Sequence, residues 1–242
     1  MVNRLAVFDL DGTFFRWQLF HELVFELKDR GLFTNEIALD LEQAFLRWQS
    51  RDLGWNDYEH HVVQAIRTHI SDIAPKDFVN AAHAIVERSG HKVYNFTKQL
   101  ALHLKGEGYH LLALTGSYQE VAEPFTKRYG FDDCIGAVLE QKNNAFTGEV
   151  LRETYSNKAA LVKEYASTHN LSLEGSVIIG DSGGDISMLE LATRPIAFNP
   201  SEELLDEALK NGWEIVVERK NIAYNLTRNK DGHVVLEKAD RF

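Results

Sequence analysis

Cysteine is nearly absent from this sequence, with Cys134 the single one among 242 residues. One thiol excludes an intrachain disulfide framework and is typical of proteins in a reducing compartment. Long apolar runs are missing too, since no stretch approaches the roughly 20 residues of a membrane-spanning helix. Asp9 and Asp11 also interrupt the apolar run near the start, where a signal peptide needs an unbroken one. We therefore expect a cytoplasmic protein.

The sequence also has fewer basic than acidic residues. The chain has 26 lysines and arginines against 36 aspartates and glutamates, a formal net charge of −10. This balance disfavours broad binding to nucleic acid or to anionic membranes, although it leaves room for a local basic pocket. The apolar fraction of 44% and the charged fraction of 26% are typical of a soluble globular protein. The length accommodates one large domain or a domain with an insertion.

The segment from Trp17 to about Arg88 has helical periodicity and no clear buried strand. Apolar residues recur at helical spacing in several stretches, and breaks at Gly31, Gly54 and Pro75 divide the segment into about four helices. The segment follows a short apolar strand at Arg4 to Asp9 and is too long for a simple crossover. We therefore predict an inserted helical-bundle cap domain over residues 16–89.

The rest of the chain alternates between apolar strand-like runs and helical stretches, which predicts a mainly parallel, Rossmann-like α/β sheet flanked by helices. Residues 1–15 and 90–242 would form this core. Within it, residues 221–242 form a C-terminal extension with the pattern of a hairpin around Lys230-Asp231-Gly232.

The pentapeptide Asp9-Leu10-Asp11-Gly12-Thr13 directly follows the first apolar run. Ligands of parallel sheets collect at the carboxyl ends of strands, so two carboxylates there indicate a site for a hard cation and an oxyanion. A plain surface turn is the alternative, because Asp and Gly are ordinary turn residues.

Two weaker signals follow further along the chain. Thr115-Gly116-Ser117 comes directly after an apolar strand and can cradle an oxyanion with a hydroxyl and a glycine amide, although these are also common turn and cap residues. Lys158 starts a predicted helix, where the helix dipole disfavours a cation, so an anion nearby would explain it. Most surface lysines are simply solvated.

Gly180-Asp181-Ser182-Gly183-Gly184-Asp185 is the third strand-to-helix segment with acidic residues. Asp185 follows Asp181 by four positions, so a helix starting near Gly183 would turn both carboxylates toward the same space. Paired acids in such a glycine-rich turn indicate Mg²⁺, whereas an ordinary helix cap with a first-turn acid is the alternative.

Taken in chain order, these segments resemble the four motifs of the haloacid dehalogenase superfamily. The residues that carry the resemblance are Asp9 and Asp11, then Thr115, then Lys158, then Asp181 and Asp185. The match extends to about Val217, with the helical segment where that superfamily places its first cap insertion. The details are most similar to the subfamily that contains the phosphoserine phosphatases.

The resemblance implies that Asp9 is a nucleophile that forms an aspartyl-phosphate and that Asp11 is the general acid and base. It implies Mg²⁺ bound by the Asp9 and Asp181 carboxylates and the Asp11 backbone carbonyl. Thr115, the Gly116 amide and Lys158 would bind phosphate oxygens. Asp185 would orient Lys158 or a metal-bound water, or ligate the metal directly.

The substrate implied is a small phosphorylated metabolite. Phosphoserine phosphatases carry a carboxylate nine residues after the nucleophile, and Gln18 occupies that position here, which argues against phosphoserine itself. Arg47 and Arg51, one turn apart in the predicted cap, could bind a carboxylate or second phosphate, although an arginine pair on a helix usually lies on a solvated face.

Three other functions are compatible with parts of this pattern. A phosphotransferase or mutase would pass the phosphoryl group from Asp9 to an alcohol. A phospho-accepting receiver module uses similar residues, but it is far shorter and lacks an acid at the position of Asp11. An interaction protein without activity is the third, and the filled chemical positions give it no support.

Overall fold

The structure is a computed structural model that describes residues 4–242. Within this range nine strands form one sheet. They are β1 (Arg4–Phe8), β2 (His110–Tyr118), β3 (Asp133–Lys142), β4 (Ala145–Arg152), β5 (Ser172–Gly180), β6 (Arg194–Phe198), β7 (Glu214–Arg219), β8 (Ile222–Arg228) and β9 (Val234–Arg241). The first three residues of the predicted core segment 1–15 lie outside the described residues.

Nine α-helices connect or flank these strands in the same range of residues. They are α1 (Leu19–Asp29), α2 (Asn35–Gln49), α3 (Trp55–His69), α4 (Pro75–Ser89), α5 (Asn95–Gly106), α6 (Gln119–Arg128), α7 (Lys158–Thr168), α8 (Ile186–Leu189) and α9 (Glu202–Asn211). Short 3₁₀ turns cover Ile70–Asp72, Tyr155–Asn157 and Gly183–Asp185. No helix in the part of the chain that the structure describes has both the length and the apolar character needed to span a bilayer.

The strand order is β4-β3-β2-β1-β5-β6-β7-β8-β9. The six strands from β3 to β7 pair in parallel, and β4, β8 and β9 add antiparallel edges. The predicted fold class, a mainly parallel sheet flanked by helices with an inserted helical cap, is confirmed. β1 lies between β2 and β5, with Val7 opposite both Leu112 and Ile178.

The sequence of β1 explains its central position. Its last four residues, Leu5 to Phe8, are fully buried. Alternate side chains of a strand point to opposite faces, and here Ala6 and Phe8 belong to one apolar cluster while Leu5 and Val7 belong to the other. A strand covered on both faces must be continuously apolar, and it delivers the residue after Phe8 to the edge of the sheet.

The helical segment between β1 and α5 contains the four expected helices. Gly31, with a φ of +70°, lies just beyond α1, and the Thr34 hydroxyl caps α2 by accepting a hydrogen bond from the Ile37 amide at 3.4 Å. Pro75 is the first residue of α4, where its missing N–H leaves no hydrogen bond unmade.

Aromatic side chains connect these helices with the sheet. Tyr58 of α3 stacks on His21 of α1 and on Trp48 of α2, with ring centroids 5.1 and 5.4 Å apart. Trp17 contacts Trp48 and Trp55, at 5.4 and 5.9 Å. The larger apolar cluster continues without interruption from the sheet into α1, α3 and α4. The bounds chosen for the cap, 16–89, stay a prediction.

Three local expectations differ from the structure. The strand around Leu114 does not end there but continues through Thr115-Gly116-Ser117 to Tyr118, with a change of register against β3. The helix expected from Gly183 is a 3₁₀ turn followed by the short α8. The C-terminal hairpin, formed by β8 and β9, is not a separate extension but joins the sheet, since β8 pairs with β7.

Candidate active site

Asp9 follows β1 and is held at the centre of the sheet edge. Its amide donates to the Ile179 carbonyl at 3.0 Å, which extends the pairing with β5 by one residue. Asp181 directly follows β5, so parallel pairing brings the two carboxylates together. Oxygens of Asp9, Asp181 and Asp185 all lie within 4.8 Å of one another. The structure thus brings Asp9 next to two acids that lie far from it in the sequence.

Gly12 makes this close approach possible. Its φ is +85°, and a Cβ on it would lie 2.1 Å from an Asp181 carboxylate oxygen. Its amide donates to the Trp17 carbonyl at 3.0 Å, which folds the loop after β1 back on itself. Any larger residue would push the loop away from Asp181.

Lys158, the first residue of α7, is buried between two of the acids. Its ammonium group donates to Asp9 Oδ1 at 2.7 Å and to Asp185 Oδ1 at 2.5 Å. These carboxylates raise the pKa of Lys158 against the opposing effect of burial, so the lysine stays charged. An ammonium has three donors, and the third remains available to an anion.

Both carboxylate oxygens of Asp185 accept hydrogen bonds. Besides Lys158, its other oxygen accepts from the amides of Asp181 and Ser182, at 3.1 and 2.9 Å, and from the Ser182 hydroxyl at 3.0 Å. A carboxylate with its acceptor positions filled in this way is poorly suited to ligate a metal and well suited to hold Lys158. The geometry therefore favours the orienting role for Asp185 over direct ligation.

Burial raises the pKa of both acids that keep a free oxygen. For Asp9 burial is the main cause, with Lys158 opposing it, and the pKa rises to about 7. For Asp181 burial comes first and the charges of Asp9 and Asp185 add to it. Clustered carboxylates with raised pKa values are a donor set that a hard cation would stabilise. Asp9 and Asp181 therefore fit Mg²⁺.

Asp11 lies beside this cluster and points toward β2. Its carboxylate accepts from the Thr115 hydroxyl at 2.8 Å, the Ser117 hydroxyl at 2.6 Å and the Leu19 amide at 2.5 Å. Burial is the main cause that raises its pKa, and these hydrogen bonds oppose it. The Leu19 bond caps α1, so the same carboxylate joins the loop after β1 to α1.

The other predicted residues differ in their exposure and in their hydrogen bonds. Thr115 is buried against Asp11, and Gly116 next to it is exposed. Gln18 precedes α1 and makes no capping bond. Arg47 and Arg51 are exposed near the end of α2, and neither side chain forms a hydrogen bond or an ion pair with any residue between 4 and 242.

Several residues near the site were not assigned from the sequence. The Thr13 hydroxyl donates to Asp181 at 3.2 Å, and Ser117 contacts Asp11 as described. Both lie inside the motifs, which is a signal that sequence reasoning could have used. Tyr155 lies outside every motif, and the position of its ring over Gly184 follows only from the folded chain.

The family follows from a comparison of sequences. The model of haloacid dehalogenase-like hydrolases matches residues 6–190, well over half of the chain. The chain belongs to this family. The resemblance inferred from the four motifs is confirmed, and the matched span of this haloacid dehalogenase-like hydrolase includes Asp9, Asp11, Lys158 and Asp181.

Individual relatives of this hydrolase carry phosphatase names. It is 27% identical over 208 residues to a phosphoserine phosphatase of Archaeoglobus fulgidus, covering 85% of this chain and 55% of the relative. It is 31% identical over 127 residues to the phosphoserine phosphatase SerB1 of Mycobacterium tuberculosis, covering 51% and 41%. The chain therefore spans about half the length of the curated relatives it matches.

Solved structures confirm the fold of this hydrolase. A Bordetella pertussis protein of unknown function superposes with a TM-score of 0.72 at 20% identity, covering 89% of this chain and 98% of the other. A phosphoserine phosphatase in its apo form superposes with a TM-score of 0.61 at 19% identity, covering 90% and 94%. Identities this low establish the fold alone.

Proposed function

We propose that this hydrolase is a Mg²⁺-dependent phosphatase that hydrolyses a small phosphomonoester through an aspartyl-phosphate on Asp9. The observation that carries the proposal is the buried Lys158 ammonium between Asp9 and Asp185, next to Asp181. This arrangement offers a nucleophile, a fixed positive charge and a cation site within one small volume. The phosphatase names of the relatives support the same reaction class.

In the first step the free oxygen of Asp9 attacks phosphorus and the bond to the leaving alcohol oxygen breaks. Asp11 donates a proton to that oxygen, so the alcohol leaves neutral. A water then attacks the phosphorus of the aspartyl-phosphate while Asp11 takes its proton, which releases inorganic phosphate and restores both acids. The raised pKa of Asp11 suits a residue that must hold a proton in one step.

The remaining side chains stabilise charge. Lys158 has one donor left for a phosphate oxygen, and Thr115 with the Gly116 amide is proposed to contact the other oxygens. Mg²⁺, bound by Asp9, Asp181 and the Asp11 carbonyl, would reduce the repulsion between the nucleophilic carboxylate and the phosphate. Asp185 would keep Lys158 in place.

Substitution of Asp9 and Asp11 tests the roles proposed for these two acids. Turnover of para-nitrophenyl phosphate with Mg²⁺ should fall by about 10²- to 10⁴-fold in Asp11→Asn, because acid and base catalysis is lost. Asp9→Asn should be inactive and should not form the complex with BeF₃⁻ that mimics an aspartyl-phosphate, as followed by ¹⁹F NMR. Asp29→Asn, at an exposed carboxylate at the end of α1, is the matched control and should keep full activity.

Near-normal turnover by Asp11→Asn would remove the acid and base role from that residue. Multiple turnover by the wild type would exclude a receiver module. Product analysis with an added acceptor alcohol separates hydrolysis, which gives inorganic phosphate alone, from transfer to the alcohol. The membership in a hydrolase family favours water as the acceptor.

A further inference from the structure

β9 is the last strand of the sheet, and its outer edge pairs with no strand among residues 4–242. Two apolar side chains of this strand are exposed, Val234 at 43% and Leu236 at 56%. An open edge offers a row of free N–H and C=O groups to another strand, and exposed apolar side chains add surface that such a strand can bury. The edge of β9 is therefore a surface on which a further strand can dock.

The pairing with β8 determines which backbone groups of β9 face outward. The Phe242 amide donates to the Asn221 carbonyl at 3.0 Å, and the register runs without a break from there to Lys238. Every second pair of an antiparallel ladder exchanges hydrogen bonds. Counting from Phe242, the even-numbered residues of this stretch face β8, whereas Ala239 and Arg241 turn their N–H and C=O groups outward.

The charges along this edge are antisymmetric about Ala239. Glu237 and Lys238 precede it. Asp240 and Arg241 follow it, so the signs along residues 237–241 run minus, plus, neutral, minus, plus. Of these residues only Asp240 is partly buried, and the others are exposed. Read in the opposite direction the signs are plus, minus, neutral, plus, minus. A second β9 laid antiparallel and centred on Ala239 therefore sets an opposite charge against each of the four charged residues.

We propose that β9 pairs antiparallel with β9 of a second copy of this chain, with Ala239 at the twofold axis. Ala239 would exchange both backbone hydrogen bonds with Ala239 of the second copy, and Arg241 would do the same with Glu237 of the second copy. These residues face outward, as a hydrogen-bonded pair requires. The two sheets would then form one continuous sheet across the dimer.

The same charges disfavour the neighbouring registers. A twofold pairing centred on any one of the four charged residues sets that residue directly opposite its own copy, and like charges in such a pair are destabilising. A pairing with the axis between two residues sets outward-facing backbone groups against inward-facing ones and forms no ladder. Ala239 is thus the centre that the charge pattern selects.

The side chains of the proposed dimer form two sets of ion pairs, one on each face of the sheet. Lys238 already contacts Asp240 of its own strand at 2.7 Å. In the dimer each of these two would also lie opposite the other residue of the second copy, which gives an alternating network of four charges. The bulge that makes Glu237 an extra residue against β8 ends the regular stretch. We therefore expect a short interface and a weak dimer that depends on concentration.

Reversal of one charge tests the register. In sedimentation equilibrium at low salt the wild type should dimerise, and Lys238→Asp should weaken the dimer by at least about tenfold, because the symmetry places the new like-charge contact in the interface twice. The double variant Lys238→Asp/Asp240→Lys should recover the affinity of the wild type, since opposite charges face each other again. Lys230→Asp makes the same charge change at an exposed position in the turn before β9 and should leave the affinity unchanged.

Removal of one outward N–H tests the backbone pairing. Ala239→Pro should abolish the dimer, because proline has no N–H to donate, while the pairing with β8 does not use this group. Urea unfolding of the dilute monomers should show similar stability for this variant and the wild type. A wild type that stays monomeric at all concentrations overturns the proposal, and so does a dimer that both Lys238→Asp and Ala239→Pro leave intact. Neither result affects the proposed phosphatase reaction, on which this inference does not depend.

Discussion

The buried side chain of His21 makes the free energy of unfolding depend on pH. It is fully buried in the aromatic cluster of α1 to α3, and neither ring nitrogen has a hydrogen-bond partner among the described residues. Burial lowers its pKa from 6.5 to about 4. The unfolded chain therefore takes up a proton at a pH where the folded protein does not, and stability falls as the pH drops from about 6.5 toward 4.

Replacing His21 by Phe should remove this dependence. Between pH 7.5 and pH 5 the wild type should lose about 2 kcal/mol of unfolding free energy more than His21→Phe does. The variant should also be more stable at pH 7.5, because it removes two unsatisfied polar atoms from an aromatic environment. Urea unfolding at the two pH values measures both effects.

His83→Phe is the control, since this histidine of α4 is exposed and should have the same pH dependence as the wild type. If His21→Phe loses as much stability as the wild type on acidification, the buried imidazole is not the source of the loss.

Single residues also show how far the candidate site could be predicted. Asp9, Lys158 and Asp181 could be found because each directly adjoins a strand or helix whose apolar pattern is visible in the sequence. The direction of the Asp11 carboxylate could not, because it depends on hydroxyls of β2 that reach it only after β1 and β2 pair.

At the scale of elements, the C-terminal strands stabilise a helix that is distant in sequence. Tyr94, the residue before α5, offers no side-chain cap, and the Glu218 carboxylate of β7 accepts from the amides of Asn95 and Phe96 instead, at 3.2 and 2.8 Å. The carboxylate also complements the positive end of the helix dipole. Glu218 thus joins α5 to the edge that carries β8 and β9.

Truncation of this carboxylate should destabilise the protein. Glu218→Ala should lower the free energy of unfolding by about 1–2 kcal/mol, because the first amides of α5 lose their acceptor and the site is buried. Urea unfolding with circular dichroism measures the change. Glu237→Ala, at an exposed position of β9, should stay within about 0.5 kcal/mol of the wild type. Equal stability of both variants would contradict the capping role.

The fold class was readable at this scale because strand and helix periodicities differ. The four cap helices and the alternation after α5 both follow from apolar spacing and from Gly and Pro positions. The extension of β2 through Thr115-Gly116-Ser117 was missed, because hydroxyl and glycine residues are typical of turns and only pairing with neighbouring strands keeps them extended. The pairing of β8 with β7 was missed as well, although the two strands form a hairpin across Lys220 and Asn221.

At the scale of the whole molecule, a metal ion bound by the acidic cluster would couple folding to metal binding. A ligand that binds only the folded state stabilises it by about 2.7 kcal/mol at 100 times its dissociation constant. For a chain of this size each kcal/mol raises the melting temperature by roughly 2–4 °C. The cluster also binds protons, since burial raises the pKa values of Asp9 and Asp181.

Saturating Mg²⁺ should therefore raise the melting temperature by roughly 5–10 °C at pH 7.5. The rise should shrink at pH 5.5, because protons compete for the Asp9 carboxylate, whose pKa is about 7. Differential scanning calorimetry with and without Mg²⁺ measures it. Asp181→Asn should abolish the rise, and Asp206→Asn, on the exposed face of α9, should keep it. A full rise in Asp181→Asn would exclude Asp181 as a ligand.

The central position of β1 has a consequence during synthesis of the chain. Thr13 and Asp181 are hydrogen-bond partners 168 positions apart, so at about 5–20 residues per second the ribosome needs roughly 10–30 s to make the stretch between them. Until β5 leaves the ribosome, one edge of β1 has no neighbouring strand. Asp9 is then exposed to water instead of packed beside Asp181 and Asp185. The nascent protein therefore assembles its acidic cluster late, when the strand that completes the middle of the sheet is added.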